Sequence, residues 1–116
     1  MKINHKQKNE IQIFELVGEL DFQASPELRE RLHKVIEKQF KKVLVNLKKV
    51  SYIDSSGLAT FVEALQKIKQ AKGRLVLSDL APPVRSVFEI AKLDGVFSLA
   101  SSDEEGFHLL TGEEVG

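Results

Sequence analysis

The sequence has no cysteine, which excludes disulfide bonds, thiolate nucleophiles and thiolate metal ligands. It also has no net charge, because 17 Lys and Arg residues balance 17 Asp and Glu residues. Nothing in that balance draws the chain to nucleic acid or to an anionic membrane. No apolar run approaches the roughly 20 residues that span a bilayer, and residues 1–6 lack the apolar segment of a secretory signal. We therefore expect a cytoplasmic protein with no direct nucleic-acid partner and no membrane partner.

The chain is long enough for one domain, and its composition is that of a soluble globular protein. It has 116 residues, of which 42% are hydrophobic and 29% are charged. We expect a single domain over residues 1–116. From Leu75 onward the acids outnumber the bases by six, which indicates either two solvated faces or a surface that steers a partner of opposite charge.

Sequence signatures of common enzymes are missing. The chain contains no phosphate-binding loop, no dinucleotide-binding glycine pattern, no nucleophile elbow and no zinc-protease motif. Its three histidines, His5, His33 and His108, lie in separate segments, and no pair has metal-ligand spacing. We expect no metal site and no cofactor.

Hydrophobic patterning predicts alternating strands and helices. Apolar runs predict strands at residues 11–17, 43–47, 74–78 and 96–99, with a weak edge strand at 2–9. Helix starts are indicated at Ser25-Pro26-Glu27, just before Leu58, at Ala81-Pro82-Pro83 and, weakly, after Ser102. We interpret Ser25 as the cap of the first helix and Gly73 as the end of the second. This order predicts an α/β sandwich with a mixed, mostly parallel sheet of four to five strands and about four helices.

One segment, residues 51–58, is unusual. It follows a buried strand and leads directly into a helix, which places it at the carboxyl end of a parallel strand, where ligands tend to bind. Asp54, Ser55 and Ser56 are all good N-cap residues, and Gly57 in a first turn suggests the close approach of some group to the backbone. The segment is either an ordinary capped helix start or a site where a phosphoryl group on Ser55 would be tolerated by the helix N-terminus.

Several short stretches of the sequence resemble those of a known family in their residues, order and spacing. Asp54-Ser55-Ser56-Gly57-Leu58 after Val43-Leu44-Val45-Asn46-Leu47 resembles the bacterial anti-sigma factor antagonists, the single-domain members of the STAS family. Three further blocks agree in order and spacing: Gly18-Glu19-Leu20-Asp21, Gly73-Arg74-Leu75-Val76-Leu77 and Val84-Arg85-Ser86-Val87-Phe88-Glu89.

The resemblance implies a STAS-type fold and a partner-switching function. In this family the unphosphorylated antagonist binds an anti-sigma factor that is also an ATP-dependent serine kinase, and so frees the sigma factor. The kinase phosphorylates one serine, the antagonist is released, and a PP2C-type phosphatase resets it. Carried over, the phosphorylated residue is Ser55, with Ser56 as the alternative. The implied partner surface comprises Asp21, Asp54, Ser55, Ser56, Gly57 and Leu58.

Two other classes of function remain open. The chain could be a STAS subunit of a larger transport or stress-signalling assembly, with the same surface packed constitutively. It could instead be an enzyme with Ser55 or Ser56 as nucleophile, but no histidine lies in a neighbouring strand-end loop to act as the base. Binding of a nucleotide by the domain itself has no phosphate-cradling glycines to support it. We therefore expect a binding module and not an enzyme.

Overall fold

A computed structural model describes residues 1–112, which form one five-stranded sheet with four helices. The strands are β1 (Lys2–Lys8), β2 (Ile11–Leu20), β3 (Lys42–Ile53), β4 (Arg74–Ser78) and β5 (Ser98–Ala100). The helices are α1 (Ser25–Glu37), α2 (Ser55–Gln70), α3 (Pro82–Ile90) and α4 (Asp103–Thr111). The strands lie in the order β1-β2-β3-β4-β5, with β1 antiparallel to β2 and all other pairs parallel. The predicted fold class is confirmed, while residues 113–116 of the predicted domain lie outside the described residues.

Helices cover the two faces of the sheet unequally. Parallel strands need crossover helices, and α1, α2 and α3 bury the larger core, in which Phe14, Val45 and Leu77 of the sheet are fully buried. The alternate side chains of the same strands, among them Leu44 and Val76, form a smaller core beneath α4. This alternation follows from the period of two along a strand.

Strands β2 and β3 are longer than the sequence predicted. The prediction ended them at residues 17 and 47, yet they pair in parallel as far as Leu20 and Ile53. The pairing survives two register shifts, between Glu15 and Val17 and again between Gly18 and Glu19. These irregularities break the simple alternation of apolar and polar residues, which is why the pattern did not reveal the additional length.

Two predicted helix boundaries were wrong, and β5 is shifted. Ser25 is not the cap of α1: Ala24 is the N-cap, and the Ser25 hydroxyl donates to the Asp21 carbonyl at 2.7 Å.

Helix α2 ends at Gln70, and the left-handed residue after it is Lys72 (φ 63°), not Gly73. A Cβ at Gly73 would lie 2.7 Å from the carbonyl oxygen of Lys41, the residue before β3, so this close approach requires the glycine. The last strand was predicted at residues 96–99 and is observed at Ser98–Ala100.

A cluster of charged groups links α1 to α2. The Arg29 guanidinium donates two hydrogen bonds to Glu63, at 2.7 and 2.9 Å, and His33 Nε2 lies 3.5 Å from the same carboxylate. Burial lowers the pKa of His33 below its ordinary value of 6.5, and the charge of Lys67 lowers it further. The Arg29 hydrogen bond holds the pKa of Glu63 below its ordinary value of 4.5. The exposed Arg29–Glu63 pair itself adds little to stability.

We predict that His33 makes the fold less stable in mild acid. Because its pKa is lower in the folded than in the unfolded chain, its stabilising contribution is complete above about pH 7 and is lost as the pH falls through about 6.5. The Glu63 contribution, from a lowered carboxylate pKa, is lost only below about pH 4.5. Urea unfolding at pH 7.5 and 5.5 should therefore show a smaller loss of stability for His33→Gln than for the wild type. An equal loss in both proteins would contradict the assignment.

Candidate functional site

The carboxyl ends of β2 and β3 project beyond the rest of the sheet. Pairing of β3 with β4 stops at Asn46, whereas pairing of β2 with β3 continues to Ile53. At about 3.3 Å per residue, residues 47–53 extend β3 by about 20 Å past the end of β4. The Asn46 side-chain carbonyl accepts the Lys48 amide at 2.9 Å and so satisfies a donor close to the first register shift. The projecting pair carries residues 51–58 at its tip.

The two strand ends are joined to each other and to α2. The Asp54 amide donates to the Leu20 carbonyl at 3.2 Å, directly beyond the last residue pair of the two strands. A Cβ at Gly57 would lie 2.9 Å from that same carbonyl oxygen and 2.7 Å from Ile53 Cγ1. The close approach expected at Gly57 is therefore confirmed, and the approaching group is the protein's own β2, not a ligand.

Asp54 alone caps α2. Its Oδ1 accepts the amides of Ser56 and Gly57 at 2.9 and 3.1 Å, and its carbonyl accepts the Leu58 amide at 3.0 Å. A carboxylate is a favourable cap because it also interacts with the positive end of the helix dipole. Ser55 and Ser56 are therefore free of the capping role and form the first two residues of the helix.

The two serines differ in exposure. Ser55 is exposed, whereas Ser56 is partly buried and its carbonyl accepts the Thr60 hydroxyl at 3.0 Å. Of the other residues in the predicted partner surface, Gly57 is buried and Leu58 is partly buried. Gly57 therefore shapes this surface by letting β2 and α2 meet, and of the two adjacent serines Ser55 is the more exposed.

Asp21 lies at the same end of the sheet, immediately after Leu20. Its Oδ1 accepts the amides of Gln23 and Ala24, both at 3.0 Å, and its carbonyl accepts the Ser25 amide at 2.9 Å. It thereby holds the turn from β2 into α1 in place of the predicted Ser25 cap. Since Leu20 bonds Asp54, the structure brings Asp21 and residues 54–58 to one end of the molecule.

Two exposed aromatic residues in this region escaped the sequence analysis. Phe22 follows Asp21 and is 68% exposed, and Tyr52 precedes Asp54 by two residues and is 50% exposed. An aromatic residue in a polar turn between a strand and a helix was the signal that could have identified Phe22. Within residues 1–112, no helix is long and apolar enough to cross a membrane, and no three potential metal ligands cluster together.

The sequence of nearly the whole chain matches that of a protein family. A profile of the STAS domain matches residues 2–106. The chain belongs to the STAS domain family. The anti-sigma-B factor antagonist of Bacillus subtilis (strain 168) is 34% identical over 99 residues, which cover 85% of this chain and 89% of that protein. The proteins that this STAS domain resembles are thus regulators named for antagonism of anti-sigma factors.

Solved structures share the fold. An anti-sigma factor antagonist from Mycobacterium paratuberculosis superposes with a TM-score of 0.87 at 17% identity, covering 95% of this chain and 93% of that chain. The Bacillus cell fate determinant SpoIIAA, solved in its phosphorylated form, superposes with a TM-score of 0.75 at 24% identity, covering 93% of this chain and 98% of that chain. Both confirm the STAS-type sandwich.

We predict that Gly57→Ala destabilises the protein, although alanine is the better helix former. Helix propensity alone would favour alanine by up to about 1 kcal/mol. The new methyl group would instead press on the Leu20 carbonyl oxygen, a backbone atom that cannot rotate away, and we expect a net loss of about 1–3 kcal/mol.

The matched control is Gly95→Ala, because a Cβ at Gly95 would meet no atom within 4 Å. Urea unfolding should show a lower midpoint for Gly57→Ala and a nearly unchanged one for Gly95→Ala. A stabilised Gly57→Ala protein would mean that β2 and α2 do not meet as closely as described.

Proposed function

We propose that this protein is an anti-sigma factor antagonist whose binding to its partner is switched off by phosphorylation of Ser55. The observation that carries the proposal is the exposed Ser55 hydroxyl at the start of a helix already capped by Asp54, on the projecting tip of β2 and β3. The family membership and the antagonists among the relatives support the same function. In the unphosphorylated state, residues 1–116 act as a single binding module that occupies an anti-sigma factor and releases the sigma factor.

The proposed partner is also an ATP-dependent serine kinase. The Ser55 oxygen attacks the γ-phosphorus of ATP, the bond from that phosphorus to the bridging oxygen of ADP breaks, and the serine proton is released. The antagonist supplies the hydroxyl in a fixed position, and the kinase supplies the nucleotide and the catalytic groups. Asp21 helps to present the serine because its carboxylate fixes the neighbouring turn. The antagonist itself catalyses nothing.

Phosphorylation can change binding without unfolding the domain. The phosphate adds about −1.5 to −2 charges at pH 7 at a helix N-terminus, where the dipole favours negative charge. A bound partner would have to desolvate that charge next to its own nucleotide phosphates. A penalty of about 2.7 kcal/mol lowers affinity about 100-fold. A PP2C-type phosphatase removes the phosphate and restores binding.

The site of phosphorylation is tested by intact-mass measurement of the protein from its native cells. We expect one phosphate, which peptide mapping should place at Ser55 within residues 50–67. A phosphate on Ser56 instead would keep the switch and move its site. If no phosphate is found under any growth condition and the protein copurifies with a stoichiometric partner, the protein is better explained as a constitutive subunit of a larger assembly.

Binding is tested with two variants and the kinase-type anti-sigma factors of the source organism. Ser55→Ala should abolish phosphorylation and keep wild-type affinity, since the surface loses only one hydroxyl. Ser55→Asp carries part of the phosphate charge and should weaken binding by about 10-fold or more with unchanged helicity. Ser56→Ala serves as the control and should be phosphorylated and bound as the wild type is. Wild-type affinity of Ser55→Asp would rule out electrostatic exclusion.

A further inference from the structure

Phe22 is the most exposed aromatic side chain of the described residues. Four of the seven phenylalanines are buried and two are partly buried, so Phe22 alone is exposed, at 68%. Burial of a large apolar side chain against a partner is favourable in free energy. Aromatic residues are also over-represented among the residues that dominate the binding energy of interfaces. Because Phe22 lies in an exposed turn, it does not fill the core, which is the usual structural role of a phenylalanine.

Hydrogen bonds to Asp21 hold the turn that carries Phe22. The Asp21 carboxylate accepts the amides of the two residues that follow Phe22, and the Asp21 carbonyl accepts both the amide and the hydroxyl of Ser25. Four hydrogen bonds therefore fix the backbone on both sides of the ring. A side chain presented from an ordered turn loses little backbone entropy on binding, which makes it an efficient contact.

Phe22 lies within one interface footprint of Ser55. The Leu20 carbonyl and the Asp54 amide are 3.2 Å apart, Phe22 is two residues from Leu20, and Ser55 is one residue from Asp54. At 3.8 Å between consecutive Cα atoms, the Cα atoms of Phe22 and Ser55 are within about 20 Å. A standard interface covers about 800 Å² on each partner, a patch about 30 Å across, so one interface of that size can include both Ser55 and Phe22.

The two chain segments that carry Phe22 and Ser55 contain acids and no bases, which favours a partner surface with basic groups. Residues 19–27 and 50–58 contain four acids and no Lys or Arg: the acids are Glu19, Asp21, Glu27 and Asp54. A complementary surface is therefore apolar where it meets Phe22 and basic around it.

We propose that Phe22 is an affinity- and specificity-determining anchor that inserts into an apolar pocket, rimmed by Lys or Arg, on the kinase-type anti-sigma factor. This inference rests on the proposed function and adds the residue that selects the partner. The Phe22 ring has no charged, acidic or hydrogen-bonding group that could act on the phosphoryl group, so it contributes equally to the bound ground state and to the transition state of phosphoryl transfer.

The experiment compares Phe22→Ala with the control Ile90→Ala, using the anti-sigma factor that phosphorylates the wild-type protein. Ile90 is 83% exposed and ends α3, which runs back toward the amino ends of the parallel strands, opposite to Ser55. Titration calorimetry should show about 10- to 30-fold weaker binding for Phe22→Ala and less than about a twofold change for Ile90→Ala. The KM for the antagonist should rise to a similar extent, with kcat nearly unchanged.

Equal affinity of Phe22→Ala and the wild type would overturn this inference and leave the proposed function standing. A fall in kcat without a change in KM or affinity would also overturn it, because Phe22 would then act on the phosphoryl transfer itself. If the wild-type protein bound none of the organism's kinase-type anti-sigma factors, the proposed function and this inference would fall together.

Discussion

The parallel pairing of β2 with β3 beyond the end of the remaining sheet is the constraint on which the candidate site depends. It ends in the hydrogen bond from the Asp54 amide to the Leu20 carbonyl. Through that bond the start of α2 is fixed relative to the turn that leads into α1. Gly57 is part of the same joint, because any larger residue would push α2 away from Leu20. The relative positions of Asp21, Phe22 and Ser55 all follow from this one junction.

At the start of α2, one residue caps the helix and a different residue carries the exposed hydroxyl. This arrangement explains how a modification of the hydroxyl can leave the fold intact. Asp54 satisfies the amides of Ser56 and Gly57, which would otherwise lack partners at the end of a helix. Were Ser55 itself the cap, attaching a phosphate would remove or distort a contact worth about 1 kcal/mol. With the cap on a neighbouring carboxylate, the Ser55 hydroxyl makes no capping contact, so the proposed phosphorylation changes the surface and leaves the cap intact.

The features that the sequence predicted correctly depend on local pattern, and those it missed depend on distant partners. Strand β4 was predicted at its observed bounds because Leu75, Val76 and Leu77 form a short apolar run next to the turn signal of Gly73. The true end of β3 was missed because Lys48 and Lys49 resemble a loop, and only pairing with β2 across two register shifts makes them strand. Ser25 was a reasonable cap on its own, but Asp21, four residues earlier, already holds the turn. The candidate site was predicted from its sequence motif, whereas the exposure of Phe22 could be recognised only from the structure.

The proposed switch requires a surface that binds its partner tightly in one state and releases it in the other, and such a surface needs contacts of two kinds. Contacts near Ser55 can respond to a phosphate, but if they supplied all of the affinity, the same small area would have to be strong in one state and absent in the other. An anchor such as Phe22 carries no charge, so in the proposed interface its contribution does not depend on the charge of the phosphate. Affinity and switching would then depend on different residues of one surface. The rigid joint between β2 and α2 keeps both kinds of contact in one interface.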